Sequence, residues 1–155
     1  MCRTPKPLLL TVSLLAAWTV ATAAQAPWLE AQLATAEAKW AMNKPQVYEF
    51  TIKLLCFCPP VPPGYEPIVF RVENGAALLL TGARTVSVQT GAPTGLDKYG
   101  TVEKQFEFIR AELRKRPYRV EIEYDSDRGY PRRVYIDPEQ NVADDEYGFS
   151  VEGFR

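Results

Sequence analysis

Histidine does not occur in this chain of 155 residues. Without an imidazole there is no Ser-His-Asp or Cys-His nucleophile, no His-ligated zinc, and the side chain best suited to proton transfer near neutral pH is missing. Sulfur is nearly as scarce, with three cysteines and two methionines. Excess charge is lacking as well: 18 basic residues stand against 19 acidic ones. That balance argues against a general nucleic-acid binder, which would need a basic surface to neutralise phosphates.

The first residues read as a signal peptide. Arg3 and Lys6 form a basic start, Leu8 to Val20 is an apolar run too short to span a bilayer comfortably, and Ala21-Thr22-Ala23 supplies small residues for cleavage. The expected organisation is therefore a leader over residues 1–23 and a single secreted or periplasmic α+β domain over 24–155. The alternative is an uncleaved N-terminal anchor, the one case in which a membrane enters. Removing the leader takes away Arg3, Lys6 and Cys2. It leaves 16 basic against 19 acidic residues, a net charge of −3, and two cysteines in a compartment that permits disulfides.

Two segments have helical spacing. Leu29, Leu33, Ala36 and Trp40 share one face of a helix over Pro27–Met42, which Asn43-Lys44-Pro45 ends. Val102, Phe106, Ile109 and Leu113 do the same in a second helix from Val102 to Lys115. Thr101 is placed to cap it, Glu103 suits its positive first turn, and Arg114, Lys115 and Arg116 suit its last turn before Pro117. Each helix leads into strict alternation: Tyr48, Phe50, Ile52 and Leu54 after the first, Tyr118, Val120, Ile122 and Tyr124 after the second. Period two with one polar row predicts antiparallel sheet with one wet face. Further strands are expected around Ile68 to Val72, Ala77 to Leu80, Thr85 to Val88, Val134 to Ile136 and Tyr147 to Val151. "GYEPIVFRVENG" from Gly64 and "GYPRRVYIDPEQN" from Gly129 share their wording. The chain thus reads as a weak internal duplication of a helix-strand-strand unit, with chance similarity as the alternative, and with Gln89–Gly100 as connector. The predicted fold is two helices packed on one face of a mainly antiparallel sheet, around one shared interior.

Cys56 and Cys58 continue the parity of Leu54. In a regular strand their Cα atoms would stand about 6.5–7 Å apart, at the limit for a disulfide. A bond between them requires a bend at Phe57, next to Pro59 and Pro60. Four readings stand: a local disulfide or buried thiol pair shaping the strand end, a reactive thiol pair, a partial metal site, and pairing to another molecule. The spacing is not Cys-x-x-Cys, and no helix follows to lower a thiol pKa.

Asp125, Asp127 and Gly129 form an acidic turn, and Asp144, Asp145 and Glu146 form a second acidic group. Asp side chains in such turns usually bond nearby backbone amides. Should both groups meet in space, calcium is the cofactor they would fit; otherwise no cofactor is implied. Arg110, Arg114, Arg116, Arg128, Arg132 and Arg133 read as solvated charge rather than an anion site.

Tyr48-x-Phe50, Cys56-Phe57-Cys58-Pro59, Gly75, Tyr124-Asp125, Gly129-Tyr130-Pro131, Ile136-Asp137 and Asp144-Asp145-Glu146 together resemble a bacterial secreted domain of unknown function, number 6174. The resemblance covers Trp40 to the C-terminus and implies export and a shared fold, but no activity. Many members look like lipoproteins; this chain lacks the lipid-bearing cysteine. The segment "GYPRRVYIDPEQN" is also similar to the hairpin of PepSY-type modules, which accompany or inhibit extracellular enzymes. The expected function is a secreted, non-catalytic binding or accessory domain for a protein or small-molecule partner, with no nucleic acid. The alternative is a thiol-dependent redox or metal-binding activity at Cys56 and Cys58.

Overall fold

The computed structural model of the protein describes residues 25–56, 61–82, 85–88, 93 and 95–155. Helix α1 (Gln25–Asn43) is followed by strands β1 (Val47–Cys56), β2 (Ile68–Glu73), β3 (Ala76–Leu80) and β4 (Thr85–Ser87). A 3-10 turn (Asp97–Tyr99) precedes helix α2 (Val102–Arg114), after which come β5 (Arg119–Tyr124), β6 (Pro131–Asp137) and β7 (Tyr147–Glu152). The strands form one seven-stranded sheet in the order β4-β3-β2-β1-β7-β6-β5, every neighbour antiparallel. The described residues thus form an α+β fold in which helices α1 and α2 accompany an antiparallel sheet, as the alternation predicts.

Period two decides which face is dry. Tyr48, Phe50 and Ile52 stand opposite Val72, Phe70 and Ile68, and Phe70 in turn opposes Leu79. Across the other side of β1, Ile52 meets Val151 and Leu54 meets Phe149, which meets Val134. These residues, except the partly buried Leu54 that packs against them, join Leu29, Leu33, Ala36 and Trp40 of α1 and Val102, Phe106, Ile109 and Leu113 of α2 in one buried cluster. Both helices therefore cover the same sheet face. Burying each such side chain contributes about 1.5–3 kcal/mol.

Local chemistry sets the element ends. The Thr101 hydroxyl accepts from the Lys104 amide at 3.1 Å, and Lys115 and Arg116 close α2, Arg116 at φ +57°. Asn74 (φ +51°) and Gly75 (φ +80°) give the β2–β3 hairpin the twist of a primed turn. Pro45 follows the last hydrogen-bonded residue of α1, whose Lys44 amide donates to Trp40 O at 2.8 Å. One expectation fails. Tyr118 is not in the buried row; it precedes β5 and is 49% exposed. Its amide pairs with Pro138 O, past the ends of both strands.

β1 and β7, from opposite halves of the sequence, join the two meanders at the middle of the sheet. The C-terminus extends that seam. Glu49 and Arg155 exchange two backbone hydrogen bonds of 2.9 and 3.0 Å, and their side chains form an ion pair.

Candidate functional site

The YDxxxGYP stretch sits where β5 turns into β6. Asp125 Oδ1 accepts from the amides of Asp127 (3.1 Å) and Arg128 (2.7 Å), while its own backbone pairs with Gly129 N and Tyr130 O. The carboxylate is thereby occupied in holding the turn. Gly129, at φ +86°, lies against α1 so closely that a Cβ would fall 2.4 Å from Ala36 O and 3.0 Å from Lys39 Cβ. Lys39 Nζ ties the same turn down by donating to Ser126 O at 2.6 Å. Tyr130 stacks on Phe154 at 4.2 Å, with Arg128 over the other ring at 5.5 Å, and Pro131 is fully buried at the start of β6. Gly129, Tyr130 and Pro131 thus dock the hairpin onto α1 and the C-terminus.

Asp144, Asp145 and Glu146 lie past the far end of β6, about 20 Å away along the strand. The structure does not bring the two acidic groups together. Among the described residues there is no group of three or more Cys, Asp or Glu arranged to hold a metal. Asp144 adopts φ +63°, and Asp145 keeps one buried carboxylate oxygen without a hydrogen-bond partner among the described residues.

Cys56 ends β1 opposite Tyr147, so it shares the Asp144–Glu146 end of the sheet. Its sulfur is engaged rather than free. Cys58 and the expected bend at Phe57 lie outside the described residues. Nearby, Tyr147 donates to Glu112 Oε2 at 2.5 Å, and Lys115 Nζ stands 2.8 Å from the same carboxylate. Burial first, then the Glu112 charge, pushes the Tyr99 phenol up to about 12. Burial, then the hydrogen bond to Glu112, raises Tyr147 as well, so both hydroxyls stay protonated at neutral pH. Gly148 follows, with no room for a Cβ, which would fall 1.9 Å from Val134 O.

A groove of about 340 Å³ opens between the outer flank of α1 and the β5–β6 turn. Trp28, Ala31 and Thr35 form one wall; Tyr124, Asp125 and Gly129 form the other. Trp28 is 60% exposed. Tyr124 keeps its hydroxyl buried and without a hydrogen-bond partner among the described residues. Burial, then the Glu37 carboxylate, raises its pKa, leaving a neutral phenol with an unused donor. Two larger hollows, about 510 and 520 Å³, are rimmed by charge: one by Lys53, Glu66 and Glu152, with Ile52, Leu54, Val61, Pro67 and Ile68 also lining it, the other by Lys98, Lys104, Glu107 and Arg110.

The family model for a family of unknown function matches residues 32–155. The chain belongs to DUF6174. No curated protein matches the chain, and no solved structure does. The DUF6174 match takes in most of α1, the whole sheet and every docking residue of the β5–β6 turn, while Trp28 and Ala31 precede it.

Sequence reasoning singled out Asp125 and Gly129 but missed Trp28 and Thr35. A signal was there: Trp28 falls one position off the Leu29-Leu33-Ala36-Trp40 stripe, which places a large aromatic on the outer flank of the helix. Among the described residues no helix is long and apolar enough to cross a membrane.

Proposed function

We propose that this DUF6174 chain is a secreted or periplasmic, non-catalytic binding or accessory domain that takes its partner in the groove between α1 and the β5–β6 turn. The observation that carries the reading is the open groove itself, with Trp28 exposed at its wall and Thr35, Lys39 and Asp125 as its polar groups. Ligand sites are concave, largely apolar and supplied with a few polar groups that fix orientation. Residues 1–23 act as leader, and 24–155 form the exported domain. Cys56 and Cys58 form a local disulfide that finishes β1; the engaged sulfur of Cys56 supports this over a reactive thiol pair. The sheet order sets two meanders side by side, each preceded by its helix. That arrangement supports a duplicated helix-strand-strand origin like that of PepSY-type modules.

The test is a titration of the isotopically labelled protein with indole, followed by amide NMR. Shifts that cluster at Trp28, Thr35, Asp125 and Gly129 are expected. Shifts confined to either charge-rimmed hollow, or none at all, contradict the reading.

A further inference from the structure

The two outer strands of the sheet differ. β4 is three residues long, whereas β5 runs six residues without proline, glycine or lysine, and its ladder with β6 is regular through Glu123. Short length, proline and lysine are common means of keeping an edge from pairing with another chain. The phase of β5 is fixed just ahead of it, where the Tyr118 amide donates to Pro138 O. Hydrogen-bonded positions alternate along an antiparallel ladder. Val120 and Ile122 therefore turn their backbone groups toward β6, and Arg119, Glu121 and Glu123 turn theirs to the outside.

A second copy approaching antiparallel offers the same three outward positions. Setting Arg119 against Glu123 and Glu121 against itself lets every one of them exchange both of its hydrogen bonds. A slide of two residues one way sets Pro117, which has no N–H, against Glu123; a slide the other way opposes Glu121 and Glu123 twice. The favoured register also opposes Val120 and Ile122 twice, and it brings the exposed Tyr118 beside the partner's Tyr124. Its charges have partners already: Arg119 bonds Glu121 and faces Asp137, while Glu123 faces Arg133 without an ion pair among the described residues. A guanidinium carries five donors, so Arg119 can hold Glu121 and the partner's Glu123 together. The Glu121–Glu121 contact opposes pairing, although each of those carboxylates keeps its own Arg119. Exposed ion pairs contribute little, so the charges select the register, and main-chain bonds with the apolar pairs supply the attraction.

We infer that the protein pairs with a second copy of itself through the outer edge of β5, with Arg119 opposite Glu123, so that the two sheets become one. The two-fold axis passes through the Glu121 pair, perpendicular to the sheet, and leaves the helices of both copies on the same side. One strand pair buries less than a standard interface, so the dimer is weak and exchanges with monomer. The inference goes beyond the binding-domain reading and does not rest on it.

The test is sedimentation of the protein over a dilution series, paired with amide NMR of the labelled protein. Expected is a monomer–dimer equilibrium that is mostly dimer by about 1 mM, with concentration-dependent shifts at Arg119, Glu121 and Glu123. Arg119→Glu and Glu123→Arg should each stay monomeric alone, and an equimolar mixture of the two should dimerise. Glu121→Gln removes the opposed like charges and should tighten the dimer about two- to fivefold. A protein that stays monomeric to that concentration, or shifts centred on other residues, overturns the inference. So does a pair of folded variants that fails to associate on mixing, or a Glu121→Gln dimer weaker than the parent. Should a charge-reversed variant fail to fold, the dilution shifts of the parent and of Glu121→Gln decide. Indole binding is read separately: a monomer that takes indole in the groove ends the dimer and leaves the binding-domain reading standing, whereas a dimer that takes none ends that reading alone.

Discussion

Gly129 and Gly75 share a backbone conformation, φ +86° and +80°, but not an environment. A Cβ at Gly75 meets nothing within 4 Å, so Gly75→Ala incurs only the left-handed strain, about 1–2 kcal/mol. At Gly129 the same atom would strike the α1 backbone, so Gly129→Ala should destabilise by more than about 3 kcal/mol. Urea unfolding of both variants checks the difference; equal losses would mean that the turn does not depend on α1. Gly148→Ala, which collides with Val134 O, belongs with Gly129→Ala. For the sulfurs, a thiol reagent should find neither Cys56 nor Cys58 until a reductant is added. Two rapidly reacting thiols in the native protein would favour the redox alternative. Asp125 was legible as a turn residue because its role is local. The contact of Gly129 with Ala36 spans most of the chain, and no local pattern announces it.

At the scale of elements, the start of α2 concentrates several local devices. Thr101→Ala removes the acceptor for the Lys104 amide and should lower stability by about 1 kcal/mol, read by denaturant midpoint. Glu103 adds a pH dependence. Burial alone would raise its pKa, but the hydrogen bond from Trp40 Nε1 at 3.0 Å, its backbone contact and Lys44 at 3.3 Å outweigh that and lower it below 4.5. A lowered carboxylate contributes its stability in full above the unfolded value and loses it as pH falls through the folded one. Glu103→Gln should therefore flatten part of the stability loss below pH 4.5, though modestly because the side chain is 44% exposed; an unchanged acid profile would contradict the assignment. Both helices and the alternating strands were readable because periodicity is local. The β1–β7 pairing that joins the halves was not, since strand order depends on contacts remote in sequence.

For the whole molecule, one core under two helices makes the central seam the costliest place to hollow out. Phe149 stands between Leu54 and Val134 and is fully buried. Phe149→Ala should lower stability by about 3–5 kcal/mol in calorimetry; a loss under about 1 kcal/mol would mean the two meanders do not share an interior. The same architecture sends the two acidic groups to opposite ends of β6, a separation invisible to composition. It also leaves the groove between α1 and the β5–β6 turn open and largely apolar, and its assignment as the binding site meets its most direct test in Thr35→Arg. Thr35 is exposed on the groove wall, so an arginine there should fill the space without disturbing the core. The account predicts an unfolding midpoint within about 0.5 kcal/mol of the parent, together with loss of the indole-induced shifts at Trp28, Asp125 and Gly129. Retention of those shifts in a stably folded Thr35→Arg protein would contradict it.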